Sequence, residues 1–328
     1  MSKANLLIVS LGGTIAMTKH DGENGVKPTL DAADLISAVP ELGKDFDIET
    51  LAFRQIPSSN IMLDDIIELN EVVAHALKNG TDGVVVTQGT DTLAETAFAL
   101  DLLLDCSKPV VVTGAMRHPA LPSADGPANL LAAARVAGSS EALNTGVLAV
   151  LADTIHAAQF VTKTHTSNVA AFTSPAAGPI GWVTEGRVRL LSRPACRKHI
   201  SIKKNQKHQP VALLPLLNPD DIAVFENIQL TGCKGLVIET LGGGHVPEGG
   251  VDILAELALE MPVVFASRAG SGEILRETYG YKGAEIDLIS RGLIPAGFLN
   301  GTKARILLSL LLRKGAGQGE ITEFFAWK

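Results

Sequence analysis

Apolar residues fall along this chain in two alternating rhythms. Short runs rich in Val, Ile and Leu occupy Leu6–Ser10, Gly83–Thr87, Pro109–Thr113 and Val147–Leu151. They are apolar at consecutive positions rather than at every second one, which is how a strand covered on both faces of a parallel sheet reads. Between them lie segments with the longer period of a helix. Asp64–Asn79 places Ile66, Leu69, Val73, Ala76 and Leu77 on one face, and Gly80 follows as a stop. A further helix is expected to open at Thr92-x-x-Glu95, a capping-box pattern, with Asp91 as an alternative N-cap. Strands alternating with helices predict a parallel sheet with right-handed crossovers.

The rhythm breaks at Arg193–Pro210, which holds six Lys or Arg, two His and no acidic residue. This stretch reads as a solvated connection between domains, with a docking patch as the alternative. Beyond it the alternation resumes at Val211–Leu214, Gly235–Glu239 and Pro262–Ala266, followed by a helix over Lys303–Lys314. The pattern predicts an α/β protein with a large N-terminal parallel-sheet domain of flavodoxin or Rossmann-like type (1–192), a linker (193–210) and a smaller C-terminal α/β domain (211–328).

Composition narrows the function classes. The chain has 328 residues, 46% hydrophobic and 19% charged, enough apolar material for two cores. Its 28 basic against 35 acidic residues give a net charge of −7, which repels phosphate, and 4% aromatics leave little for base stacking, so no nucleic-acid partner is expected. No run approaches the roughly 18 apolar residues of a membrane span, and Leu6–Leu11 runs straight into Gly12-Gly13 rather than a cleavage site. Cys106, Cys196 and Cys233 are odd in number and lack zinc spacing. The eight His residues form no HExxH pair, so no metal is expected. These features point to a reducing, cytoplasmic setting.

In an open parallel sheet, ligands bind outside the carboxyl ends of the strands. The residues there read Gly12-Gly13-Thr14-Ile15-Ala16, Gln88-Gly89-Thr90-Asp91-Thr92 and Gly114-Ala115-Met116-Arg117, and later Leu241-Gly242-Gly243-Gly244-His245 and Arg268-Ala269-Gly270-Ser271-Gly272. Glycine lets backbone amides approach a ligand, and a threonine hydroxyl beside such amides has the parts of an acyl-transfer site: a nucleophile and donors for the oxyanion. Taken singly, Thr14 also reads as a turn hydroxyl. Neither GxGxxG nor GxxxxGK[ST] stands at a strand end, so nucleotide binding is not indicated. Lys163, set among Thr162, Thr164, His165 and Thr166, is a candidate base, with a plain surface lysine as the alternative. Ser58 and Glu285 are further polar candidates.

These motifs resemble the bacterial-type L-asparaginase family, the two-threonine amidohydrolases. The likeness rests on GGTIA at 12–16, GTDT at 89–92, Gly114–Arg117, Ser123–Pro127, Val161–Thr164, Arg197–His199, and Leu299-Asn300 followed by Lys303–Arg305, in order along the whole chain. The resemblance implies hydrolysis of a side-chain amide of a small amino acid without a cofactor, in homotetramers built from close dimers, or in a homodimer, with active sites at subunit interfaces. It casts Thr14 as nucleophile, and Thr90, Asp91 and Lys163 as a second constellation in which Lys163 polarises the Thr90 hydroxyl. It places Ser58 on the substrate α-carboxylate, Asp91 on its α-amino group, and Gly89 and His245 in the substrate site. Glu285 matches an acidic residue brought from the neighbouring subunit. Glutamine, D-asparagine or another small amide remain alternative substrates, and a catalytically weak binding homologue an alternative protein.

The sequence departs from the family at three points. The loop Met17–Pro28 contains no tyrosine where members usually place one against the nucleophile. The chain's two tyrosines, Tyr279 and Tyr281, lie in Gly272–Gly283, just before Glu285; they are candidate donors of the missing hydroxyl, or plain packing. His245 stands where many members carry Asn, and Cys106 has no cysteine near 76–81 to match the disulfide of secreted members.

Overall fold

The structure, a computed structural model, describes residues 3–13, 17–18, 27–28, 39–203, 206–226 and 228–327. The first apolar run forms β1 (Ala4–Ser10), followed by the short pair β2 (Met17–Thr18) and β3 (Lys27–Pro28), by α1 (Pro40–Asp45) and by β4 (Phe46–Ala52). The helical period at 64–79 becomes α2 (Leu63–Lys78), and GVVVT becomes β5 (Gly83–Thr87). Then come α3 (Leu93–Leu103), β6 (Val110–Thr113), α4 (Gly126–Ala137) and β7 (Val147–Leu151). After these the chain changes habit, into β8 (Thr154–Ala157), β9 (Thr162–Lys163), β10 (Phe172–Thr173), β11 (Gly181–Thr184) and β12 (Arg187–Leu190).

Among the described residues the main sheet has the order β12-β11-β8-β7-β6-β5-β1-β4. From β4 to β7 the strands are parallel, as the unbroken apolar runs of β1, β5, β6 and β7 predict. β8, β11 and β12 extend the sheet antiparallel. The cause is two tight turns: Ala152 and Asp153 have φ of 47° and 57°, and Glu185 and Gly186 have 50° and 74°, the left-handed pairs that reverse a strand in two residues. Leu6, Ile8, Val85, Val111, Leu148 and Val150 are buried in one core with Leu130, Ala133 and Val136 of α4. From β1 the chain moves out to β4 and returns to β5 on the other side of β1. That reversal opens a crevice at the carboxyl ends of β1 and β5, the place where an open α/β sheet binds ligands.

The second half builds a separate parallel sheet, β13 (Val211–Pro215), β14 (Gly235–Thr240), β15 (Val263–Ser267) and β16 (Ile294–Pro295). Its helices are α5 (Ile222–Phe225), α6 (Val251–Glu260), α7 (Glu285–Ser290), α8 (Gly301–Lys314) and α9 (Gln318–Phe325). Asn300 caps α8 by accepting from the Lys303 N–H at 3.0 Å, and Gly315 ends it in the left-handed conformation. The chain divides into two units, Met1–His199 and Ile200–Lys328.

One local expectation is corrected. Thr92 stands at the N-cap of α3, but no capping bond forms; its hydroxyl donates to the Ser58 carbonyl at 2.9 Å, and Asp91 is turned to another partner. The first part of the basic stretch is bonded to the N-terminal unit. Arg193 donates to the carbonyls of Leu143 and Glu141 at 2.6 and 2.7 Å. Arg197 donates to Asp101 Oδ1 at 3.1 Å and to the Leu104 carbonyl at 3.1 Å, and His199 meets the Leu103 carbonyl at 3.1 Å. Basic side chains thus satisfy the carbonyls that the end of α3 leaves open.

Candidate active site

At the crevice the backbone of one strand end packs on that of the other. Gly12 and Gly13 have φ of +97° and +90°, conformations that glycine alone adopts without strain. A Cβ on Gly13 would lie 2.0 Å from the Gly89 nitrogen, and one on Gly89 would lie 2.7 Å from Ser58 Oγ. These glycines are required by close approach: they bring the residues just before Thr14 and just before Thr90 into contact. Thr14 itself lies outside the described residues.

Thr90 and Asp91 sit on a one-turn helix, Thr90–Thr92, between β5 and α3. Lys163 reaches them from β9. Its backbone is fixed by pairing with β10, Lys163 opposite Phe172, and by Thr164 N–H donating to the Ala171 carbonyl at 2.7 Å. The Lys163 ammonium donates to Thr90 Oγ1 at 2.9 Å and to Asp91 Oδ1 at 2.7 Å. It is therefore no plain surface lysine: its side chain is 19% exposed, while that of Asp91 is 71% exposed and open to a further partner. Because Thr90 accepts from the ammonium, its own hydroxyl proton is free to point at a ligand oxygen. Ser58 is buried, and its Oγ accepts from the Asp91 N–H at 3.3 Å.

A supporting layer escaped the sequence reading. Asp125 accepts from the N–H groups of Met116 and Arg117 at 3.0 and 2.8 Å. Asn129 donates to the Gly114 carbonyl at 2.9 Å and to Asp125 at 3.1 Å, and accepts from the Ala152 N–H at 2.8 Å. Gly114 in turn packs on the Gln88 carbonyl, 2.5 Å from where its Cβ would be. The 114–117 and 123–127 motifs are thus one braced turn beneath the second threonine. The signal for it was an Asp standing just before the Gly-Pro that opens α4.

The other two candidates meet in the C-terminal unit. His245 Nε2 lies 3.4 Å from Glu285 Oε2, and Tyr279 and Tyr281 pack on the imidazole with ring centroids 5.0 and 5.6 Å away. Burial pushes the Glu285 carboxyl up, but the N–H groups of Tyr279, of Glu285 itself and of Thr278, with His245, outweigh it and hold it below the ordinary carboxylate range. Among the described residues no His, Cys, Asp and Glu cluster suited to a metal occurs, and no helix is long and apolar enough to cross a membrane.

Residues 5–196 match the family model described as asparaginase, N-terminal, and residues 210–325 that described as glutaminase/asparaginase C-terminal domain. The chain is 37% identical to a "probable L-asparaginase" of Deinococcus radiodurans over 99% of its own length and 98% of that protein. It is 33% identical to the glutaminase-asparaginase of Acinetobacter glutaminasificans, covering 98% and 99%. A crystal structure of a "probable cytoplasmic L-asparaginase" from Campylobacter jejuni superposes with a TM-score of 0.90 at 33% identity, over 98% of this chain and 99% of that one. With both units matched in order by relatives that run the length of the chain, it belongs to the asparaginase family and is an asparaginase-type amidohydrolase.

Proposed function

We propose that this enzyme hydrolyses the side-chain amide of L-asparagine to L-aspartate and ammonia through an acyl-enzyme. Thr14 Oγ attacks the amide carbon, the hydroxyl proton passes to the departing nitrogen, and ammonia leaves. Water then cleaves the ester and returns the proton to Thr14. Thr90, held by Lys163, offers its hydroxyl to the oxyanion or to the incoming water, and Lys163 balances the charge that develops there. Asp91 receives the α-ammonium and Ser58, with Gly89, the α-carboxylate. His245 and Glu285 complete substrate recognition from the C-terminal unit of a neighbouring subunit in a cytoplasmic homotetramer. No cofactor has a part.

The observation that carries the reading is the Lys163 ammonium divided between Thr90 and Asp91, on a turn packed directly against Gly13. Ammonia release from purified protein over asparagine, glutamine, D-asparagine and N-substituted amides tests it, with Thr14→Ala as control. Asparagine is expected to be the best substrate, and Thr14→Ala to bind aspartate while losing nearly all turnover. Parent-like turnover in that variant rejects Thr14. The glutaminase-asparaginase relative favours glutamine as the second substrate to compare.

A further inference from the structure

The α-carboxylate and α-ammonium of an amino-acid substrate leave one carbon atom, so the groups that receive them must stand at a fixed separation. In the reading above those groups are Ser58 and Asp91, which lie 33 residues apart in the chain. Ser58 opens a one-turn helix, Ser58–Asn60, and Asp91 is the middle residue of another, Thr90–Thr92. Neither turn is itself part of a strand. Among the described residues, two side-chain bonds join them. The Asp91 N–H donates to Ser58 Oγ at 3.3 Å, a long contact to the atom proposed to meet the carboxylate. The Thr92 hydroxyl donates to the Ser58 carbonyl at 2.9 Å, which holds the backbone and leaves the Ser58 hydroxyl proton for a ligand.

Thr92 makes this bond in place of a more usual one. It stands at the N-cap of α3, where a threonine oxygen ordinarily accepts from the first amides of the helix, and no such bond forms. Its oxygen accepts instead from the side-chain amide of Gln88 at 3.5 Å, while its proton goes to Ser58. Gln88 is buried, and the same amide donates to the Gly89 carbonyl at 3.3 Å. The segment around Ser58 is fastened separately at its ends. Arg54 Nε donates to Asp65 Oδ1 at 3.0 Å, and the Met62 N–H donates to Asp65 Oδ2 at 2.9 Å. Those bonds close the segment on itself and leave its middle, where Ser58 stands, to Thr92.

We infer that Thr92 is a positioning residue: its hydroxyl sets the separation of Ser58 from Asp91, and so the selection of a substrate that carries an α-carboxylate beside its α-ammonium. The inference rests on the amidohydrolase reading above, which gives Ser58 and Asp91 those parts. Without the hydroxyl, the Ser58 carbonyl still accepts from the Ile61 N–H at 3.1 Å, so the turn stays formed but is no longer tied to its neighbour. Helix α3 loses no cap, because Thr92 gave it none.

The test uses the full-length enzyme carrying Thr92→Val, which keeps the shape without the hydroxyl, or Thr92→Ser, which keeps the hydroxyl without the methyl group. Asparagine kinetics give KM and kcat. Calorimetric titration with L-aspartate and with β-alanine, which is aspartate without its α-carboxylate, gives binding apart from turnover. Thr92→Val is expected to raise KM for asparagine and Kd for aspartate about tenfold, with kcat and the Kd for β-alanine within about threefold of the parent. Thr92→Ser should stay within about twofold of the parent throughout. Parent-like aspartate binding in the Val variant overturns the inference. So does a Ser variant as poor as Val, which would assign the effect to the methyl group. A loss of kcat as large as the rise in KM, or equal losses for aspartate and β-alanine, would assign it to general loosening and overturn the inference as well. A parent that binds aspartate yet leaves asparagine intact rejects only the proposed activity, and the aspartate titrations still decide on Thr92. A parent that binds neither rejects the parts given to Ser58 and Asp91, and the inference with them. Should Val fail to fold, Thr92→Ala is measured in its place against the same expectations.

Discussion

At the scale of single residues, the site depends on groups that share protons and charge. Thr90 and Lys163 are joined by one 2.9 Å bond, so under the proposed mechanism removing either would disable the other. Thr90→Val and Lys163→Met are each expected to lower kcat about 10²–10³-fold, with the double variant little worse than the singles. Steady-state kinetics on the three proteins decide this, because losses that multiply would mean independent roles. Glu285 gives a second expectation, in stability. Its folded carboxyl lies below its ordinary value of 4.5, so its contribution is complete above about that pH and disappears as pH falls through the lowered folded value. Urea unfolding should therefore show Glu285→Gln less stable than the parent at pH 6, with the gap closing on acidification; a gap constant in pH would assign the loss to packing. Sequence alone singled out Thr90 and Asp91 at a strand end and Lys163 among threonines, while Ser58 drew its proposed part from the family resemblance. It did not reveal that Glu285 is buried, because a carboxylate inside a loop looks the same in sequence whether amides or water receive it.

At the scale of elements, the central parallel strands were legible because a strand covered on both faces has no polar position to obscure it, whereas the edge strand β4, with Asp47, Glu49 and Thr50, was not. Nor were β11 and β12. Trp182 and Thr184 face solvent between buried Gly181 and Val183, and so short an alternation carries little signal. The capping box at Thr92 does not form: its hydroxyl is turned to donate to the Ser58 carbonyl, a bond that ties the Ser58 turn to the Thr90 turn. The closest contact between elements is that of Gly13 with Gly89. Gly13→Ala combines a left-handed φ with a Cβ 2.0 Å from backbone, which costs about 3 kcal/mol or more and pushes the end of β1 away from Gly89. Activity should fall at temperatures where circular dichroism still shows folded protein; full activity with an unchanged melting temperature would contradict the packing described.

At the scale of the whole molecule, the proposed tetramer predicts that specific activity declines on dilution as subunits part. Sedimentation velocity alongside assay tests this, and a fully active monomer would reject it. Within the N-terminal unit, Asp101 is the anchor that joins distant parts of the chain. Its Oδ1 accepts from the Val147 N–H at 2.9 Å and from Arg197 at 3.1 Å, in side chains only 10% and 25% exposed. Asp101→Ala leaves the Val147 amide without its acceptor and takes the carboxylate from beside the half-buried Arg197, and is expected to cost about 2 kcal/mol or more, measurable in urea.

The anchoring of Arg193, Arg197 and His199 also bears on how members of this family can be recombined. A chimera joined at residue 192, where the strand-and-helix rhythm stops, would give the N-terminal half a foreign segment at the end of α3 and strand Asp101. Joined after His199, each parent keeps its own clasp, and the seam falls at the boundary between the two units. The junction that respects the bonds, seven residues beyond the one that respects the pattern, is the one from which exchanged halves should yield soluble hybrids.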